Sequence, residues 1–256
     1  MMIDGYAHCG ISKYLPVRDV VAVMQQAGID RAVLCQHLGE YDNSYLAEVV
    51  RMHPGRFAAV CLVDPAGPHP TADLEAWHAT GSFRGVRLRA EWLRPSAALW
   101  ARAVELGMLL VVYAADGTAA AESSVTAFAA EHPTARIIMT HLGNPVVQQG
   151  RLAETRLLSL AGIPGVYVQL SGLSQFCEFP HEPLSGFIQD VIREYGVDRI
   201  YWGSNFPVCG DTAAYCRDLM LVRNGGWGLT PDQVAAVTTQ TAAGLWFDAA
   251  AGDVTI

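Results

Sequence analysis

His8 and His141 are the side chains in this sequence best suited to moving protons near neutral pH, because imidazole titrates there. His8 stands two residues after Tyr6, so on an extended segment the phenol and the imidazole share a face. Arg87 and Arg89 have the same spacing, and paired planar guanidiniums can grip a carboxylate. A salt bridge from either arginine to Asp64 or Glu91 is the competing reading. Tyr6, Tyr113 and Asn205 offer donors to a developing oxyanion. Against this, the two tyrosines would simply fill space and Asn205 would serve as a turn residue before Phe206-Pro207. His37, Trp92 and Ser171 follow apolar runs and complete a candidate substrate-binding set with Arg87 and Arg89. Cys35-Gln-His37 permits a thiol beside a base, but Cys35 reads better as core. Cys177 and His181 are too few for a zinc site.

These residues are useful only if the fold gathers them. Eight apolar stretches read as strands: Met2–His8, Arg31–His37, Phe57–Val63, Gly85–Arg89, Met108–Tyr113, Arg136–His141, Val166–Ser171 and Arg199–Gly203. They lack clean polar alternation, as expected for strands covered on both faces. The segments between them read as helices. Asp19–Ala27 stops at Gly28, Ser96–Leu106 at Gly107 and Pro183–Tyr195 at Gly196, and glycine suits each C-terminus. Thr230-Pro-Asp-Gln233 is a capping box with proline at the first helical position, opening a helix through Val237 towards Trp246. Eight strand–helix alternations predict a single-domain (β/α)8 TIM barrel over residues 1–256, with an open doubly wound sheet as runner-up. No Gly-rich phosphate loop follows a strand, which weighs against the open sheet. In a barrel the strand C-termini carry the chemistry, and every residue of the candidate set falls at or just beyond one.

Composition narrows the partners. The chain has 256 residues, 51% hydrophobic and 16% charged, with net charge −8. An acidic chain with no basic block is a poor match for nucleic acid or an anionic membrane. No apolar run is long enough to span a bilayer, and the first residues lack a signal-peptide pattern, so a cytoplasmic location is expected. The six cysteines form no CxxC pair, and reduced thiols are expected.

Five phrases in order, Ile3-Asp-Gly-Tyr-Ala-His8, Gly85-Val-Arg-Leu88, Thr140-His-Leu-Gly143, Leu170-Ser-Gly172 and Trp202-Gly-Ser-Asn-Phe-Pro207, resemble the amidohydrolase-2 branch of the amidohydrolase superfamily. The resemblance covers nearly the whole chain. It implies a metal centre built from a His-x-His pair on the first strand, histidines on the fifth and sixth, and an aspartate on the eighth. In this chain Tyr6 takes the place of the first of those histidines, Tyr113 that of the fifth-strand histidine and Asn205 that of the aspartate, so only His8 and His141 match. Two histidines fall short of the three protein ligands of a catalytic zinc, and Asn205 cannot act as a carboxylate base. The resemblance therefore implies no catalytic metal and no other cofactor. Its 2-pyrone-4,6-dicarboxylate lactonase-like members, which hydrolyse a lactone without metal, are the nearest functional analogue.

The expected function is metal-independent chemistry on a small anionic substrate, a cyclic or unsaturated carboxylate. It would be lactone hydrolysis or an isomerisation, cyclisation or decarboxylation, run by His8 or His141. Two other readings stand beside it: a barrel that binds without catalysis, and a hydrolase whose metal has moved to His8, His141 and Asp64 or Asp116. The sequence leaves the oligomeric state open, a homodimer among the options.

Overall fold

The computed structural model describes residues 1–153 and 155–248. β1 (Ile3–Ala7), β2 (Arg31–Cys35), β3 (Phe57–Leu62), β4 (Phe83–Arg89), β5 (Leu109–Tyr113) and β6 (Ile137–Met139) run parallel. An antiparallel hairpin follows, β7 (Val147–Gln148) and β8 (Arg151–Leu152). β9 (Val166–Leu170) and β10 (Ile200–Trp202) then return to the main sheet. Its order, β1-β2-β3-β4-β5-β6-β9-β10, is that of a barrel, and the expected (β/α)8 architecture is observed. The hairpin was not expected, since two-residue strands leave no readable period.

The helices end where the sequence says they must. α1 (Val17–Ala27) stops at Gly28, whose φ of 72° lets its N–H turn back onto the Met24 and Gln25 carbonyls. α2 (Ser44–Met52), α3 (Pro70–Ala79), α4 (Ala97–Glu105), α5 (Thr118–Glu131), α6 (Ser185–Tyr195) and α7 (Thr212–Arg223) pack outside the sheet. Thr230 and Gln233 form the expected capping box of α8 (Pro231–Ala235). A π-turn over Ala236–Gln240 then leads into α9 (Thr241–Trp246) rather than one unbroken helix.

Two apolar layers result. The outer one, between sheet and helices, takes Leu34, Leu88, Leu110, Val112 and Trp100. The inner one fills the barrel with Tyr6, Cys35, Val60, Val111, Ile138 and Tyr201, and Leu245 and Trp246 of α9 pack into it. Cys35 is thus core.

The seam between β1 and β10 is fastened differently. Ala7 bridges Phe206, the Asn205 N–H donates to the Tyr6 carbonyl at 2.8 Å, and the His8 N–H donates to the Phe206 carbonyl at 2.8 Å. Beneath them the buried Asp4 carboxylate accepts from the Ser204 N–H (2.8 Å), the Ser204 hydroxyl (2.6 Å), the Tyr6 N–H (3.1 Å) and the Tyr215 hydroxyl (2.9 Å). Gly203 is required here, since a Cβ on it would lie 2.7 Å from the Tyr6 Cβ.

Candidate active site

The strand C-termini surround a cavity of about 150 Å³ lined by His8, Arg87, Tyr113, His141 and Asn205, with Lys13, Tyr14 and Gln175 at its walls. Local backbone chemistry sets each side chain. β6 ends at Met139, two residues before the predicted end, because His141 and Leu142 adopt left-handed conformations (φ 52° and 53°). Such strain persists only where the surroundings over-determine it. At His141 the Nδ1–H donates to the Ser171 hydroxyl (2.8 Å), which in turn donates to the Gln169 carboxamide oxygen (2.9 Å). That direction of donation leaves the lone pair on Nε2, on the cavity side. His8 donates from Nδ1 to the Cys35 carbonyl at 2.7 Å, which fixes the same tautomer. Gly172 makes room for this arrangement, since a Cβ there would lie 2.7 Å from the His141 Nδ1.

Both imidazoles are held neutral. Burial and then the nearby Arg87 charge push His8 and His141 down to about 3. Asp4 moves the other way, as burial outweighs its hydrogen bonds and carries it up to about 6. Arg87 is the electrostatic centre. It is 6% exposed, its Nη1 donates to the Gln36 carbonyl at 2.8 Å, and its Nε finds no acceptor. Among the described residues no carboxylate pairs with it. Its guanidinium lies 5.9 Å from the Tyr6 ring and 5.7 Å from the Tyr113 ring. A buried cation without a counter-ion is costly unless an anion joins it.

The rest of the expected set is dispersed. Tyr6 lies under the cavity, its ring edge-on to His8 (4.9 Å) and His141 (5.1 Å) and its hydroxyl unpartnered. Arg89 leaves the cavity and pairs with Glu91, because β4 ends there and the side chain escapes to solvent. Trp92 packs against the outer core, and its carbonyl accepts from the Trp100 indole. Ser171 stands behind His141. His37 lines a neighbouring cavity instead. Asp64 and Asp116 are absent from the lining. His181 braces its own loop, between the Cys177 carbonyl (3.2 Å) and Asp218 (3.4 Å).

Sequence reasoning missed Asp4, Lys13, Tyr14 and Gln175. A carboxylate inside an otherwise apolar buried strand was the available signal for Asp4. The other three sit in loops, where no period points anywhere.

A family model for amidohydrolases matches residues 7–247. The chain belongs to the amidohydrolase family. L-fucono-1,5-lactonase from Burkholderia ambifaria is 27% identical over 202 residues, covering 75% of this chain and 69% of that protein. In structure the chain is similar to a candidate 2-pyrone-4,6-dicarboxylic acid hydrolase from Pseudomonas putida (TM-score 0.78, 22% identity, 95% and 96% of the two chains). It is also similar to an amidohydrolase from Burkholderia multivorans with bound zinc (TM-score 0.76, 19% identity, 96% and 98%). At these identities the structural likenesses speak for the fold.

The described residues of this amidohydrolase do not supply the donor set for a catalytic divalent ion. Among the described residues no group of three or more His, Cys, Asp or Glu side chains is placed to hold one. His8 and His141, donating from Nδ1 to Cys35 and Ser171, offer only two Nε2 lone pairs, one short of the three protein ligands of a catalytic zinc, Asn205 is neutral, and the Arg87 charge repels a cation at the same mouth.

Proposed function

We propose that this protein hydrolyses a small lactone bearing a carboxylate, with His141 as general base and Arg87 as the carboxylate anchor. The buried Arg87, with no carboxylate paired to it among the described residues and two neutral imidazoles in the same cavity, carries the reading. The guanidinium holds the substrate carboxylate by charge-assisted hydrogen bonds. His141 Nε2 takes a proton from water, and the water oxygen bonds to the lactone carbonyl carbon. Tyr113 and the Asn205 carboxamide donate to the oxyanion. As the ring C–O bond breaks, the His141 imidazolium returns the proton to the departing oxygen, giving a hydroxy acid. His8 and Tyr6 hold the geometry from beneath.

A His141 base near 3 is weak in the empty site. A bound carboxylate neutralises Arg87 and so removes one cause of that depression. The substrate therefore strengthens its own base. The names of two similar proteins, an L-fucono-1,5-lactonase and a candidate 2-pyrone-4,6-dicarboxylic acid hydrolase, add support for lactone chemistry. An open polar cavity at the barrel mouth, in place of one crowded shut by Tyr6 and Tyr113, favours an enzyme over a barrel that binds without catalysis.

The test is turnover of 2-pyrone-4,6-dicarboxylate, L-fucono-1,5-lactone and simpler lactones by the native protein and by His141→Asn. Asparagine suits the left-handed backbone at this position. A loss of at least ~100-fold in kcat is expected, within the usual range for general-base removal. Unchanged kcat in His141→Asn would overturn the assignment.

A further inference from the structure

The His141 imidazole is one end of a longer hydrogen-bonded line. Val168 and Leu170 of β9 belong to the outer apolar layer, so Gln169 and the Ser171 that follows point into the barrel. The Gln169 carboxamide is used at both ends. Its Oε1 accepts from the Ser171 hydroxyl at 2.9 Å, and its Nε2 donates to the Tyr201 hydroxyl oxygen at 3.2 Å. His141, Ser171, Gln169 and Tyr201 thus run from the cavity down into the inner layer, where Tyr201 lies in one apolar cluster with Ile3, Val33, Val60 and Ile138. Gln169 and Tyr201 are wholly buried. A carboxamide and a phenol in such surroundings are costly unless each satisfies the other, as these two do.

The lower end of the line is fixed by packing. A Cβ on Gly5 would lie 2.3 Å from the Tyr201 ring, so the phenol is seated directly on the β1 backbone at its glycine. Burial pushes the Tyr201 hydroxyl up, which keeps it neutral. Neither Gln169 nor Tyr201 lines the cavity, so any effect they have on turnover runs through Ser171 and His141.

The line has a direction because a carboxamide has one donor end and one acceptor end. With Nε2 on Tyr201, Oε1 faces Ser171. Ser171 spends its proton there and accepts from His141 Nδ1–H, which leaves the Nε2 lone pair in the cavity. A flipped carboxamide would present N–H to Ser171 and turn the Ser171 hydroxyl onto Nδ1. The ring proton would then sit on Nε2, where it blocks a general base.

We infer that Gln169 and Tyr201 are positioning residues for His141: the Tyr201 hydroxyl holds the Gln169 carboxamide in one orientation, and that orientation sets the tautomer that makes Nε2 a base. The inference rests on His141 as the base of the proposed hydrolysis, but the tautomer can be read with no substrate present.

Heteronuclear NMR of the ring nitrogens reads it in the full chain near neutral pH, with the His141 signals assigned by their loss in His141→Asn. The native protein is expected to carry the proton on Nδ1. Gln169→Met leaves the Ser171 hydroxyl without its acceptor and should move the proton to Nε2, with kcat on any lactone the native protein turns over falling at least ~10-fold and KM unchanged, as for other catalytic histidines held in the wrong tautomer. Gln169→Glu, whose carboxylate only accepts, should keep Nδ1 protonated, a rescue that a merely structural role would not give. Tyr201→Phe keeps the ring on Gly5 and removes only the hydroxyl. It should populate both tautomers and lower kcat several-fold. An unshifted tautomer in Tyr201→Phe would overturn the inference even if kcat falls, and so would a native ring protonated on Nε2. Should Gln169→Met fail to fold, Tyr201→Phe decides alone. If the native protein turns over no lactone while the tautomer still shifts in the variants, the proposed hydrolysis fails and the positioning line stands.

Discussion

Mild acid will destabilise this protein through its two site histidines, and the size of the effect follows from their burial. His8 and His141 are pushed down to about 3 from an ordinary 6.5. Below about pH 6.5 the unfolded chain takes up a proton at each, and the folded chain does not until the pH nears 3. Stability gained by keeping them neutral is complete above the unfolded value and falls as the pH drops. From about pH 6.5 to about pH 4.5 each histidine costs about 3 kcal/mol, at 1.36 kcal/mol per unit. Asp4 opposes them. Its carboxyl is raised to about 6, so the folded chain protonates first and gains about 2 kcal/mol as the pH falls from there to about 4.5. The net expected loss is about 4 kcal/mol, a large share of the ~5–15 kcal/mol that holds a typical domain. Urea denaturation across this range measures it directly. His141→Asn removes one histidine, and its stability should change by only about 1 kcal/mol over the same interval. A wild-type curve flat in this window, or parallel curves for the two proteins, would refute the assignment of two buried neutral imidazoles.

Three further outcomes are expected. Arg87→Met should weaken binding of carboxylate ligands by ~10- to 100-fold, as for a lost charge-assisted hydrogen bond. It should also raise both site histidines in an NMR titration, since Arg87 is among the causes that lower them. Gly172→Ala should lower kcat by ~10-fold or more, because the added methyl presses on the Gln175 carboxamide and on the His141 Nδ1 (2.7 Å) at a backbone φ of 66° that disfavours a side chain. Chelation and dialysis should leave lactone turnover unchanged in tag-free protein, with elemental analysis reporting well under one transition metal per chain.

The barrel was legible because its signal is repeated. Eight buried apolar strands alternate with helices whose stops, such as Gly28 and Gly196, are chemical necessities. The candidate site was legible where a strand delivers a residue into the mouth, as with His8, Arg87, Tyr113, His141 and Asn205. It was not legible at the last residue of a strand. Arg89 shares the spacing of Arg87 and ends β4 where expected, yet at that rim position its side chain turns to solvent and pairs with Glu91. Tyr6 and His8 share a face by spacing, but Tyr6 sits one layer deeper and fills the barrel. Tyr14 owes its position to a left-handed turn in a loop, which no period encodes.

The Asp4–Ser204 contact joins residues 200 positions apart, and the Asn205 N–H reaches back to Tyr6 beside it. A barrel is a ring, and this ring has one clasp. During synthesis the first strand leaves the ribosome long before its partner exists, so Asp4 must wait with its carboxylate in water until β10 and Tyr215 arrive. Only that docking turns Asn205 into the cavity and draws the His8 backbone against Phe206. Loop closure of this span is among the slowest kinds of contact to form. Barrel closure and site completion are therefore a single late event, and a chain that ends before β10 carries both histidines but neither Asn205 nor the seam that closes the mouth.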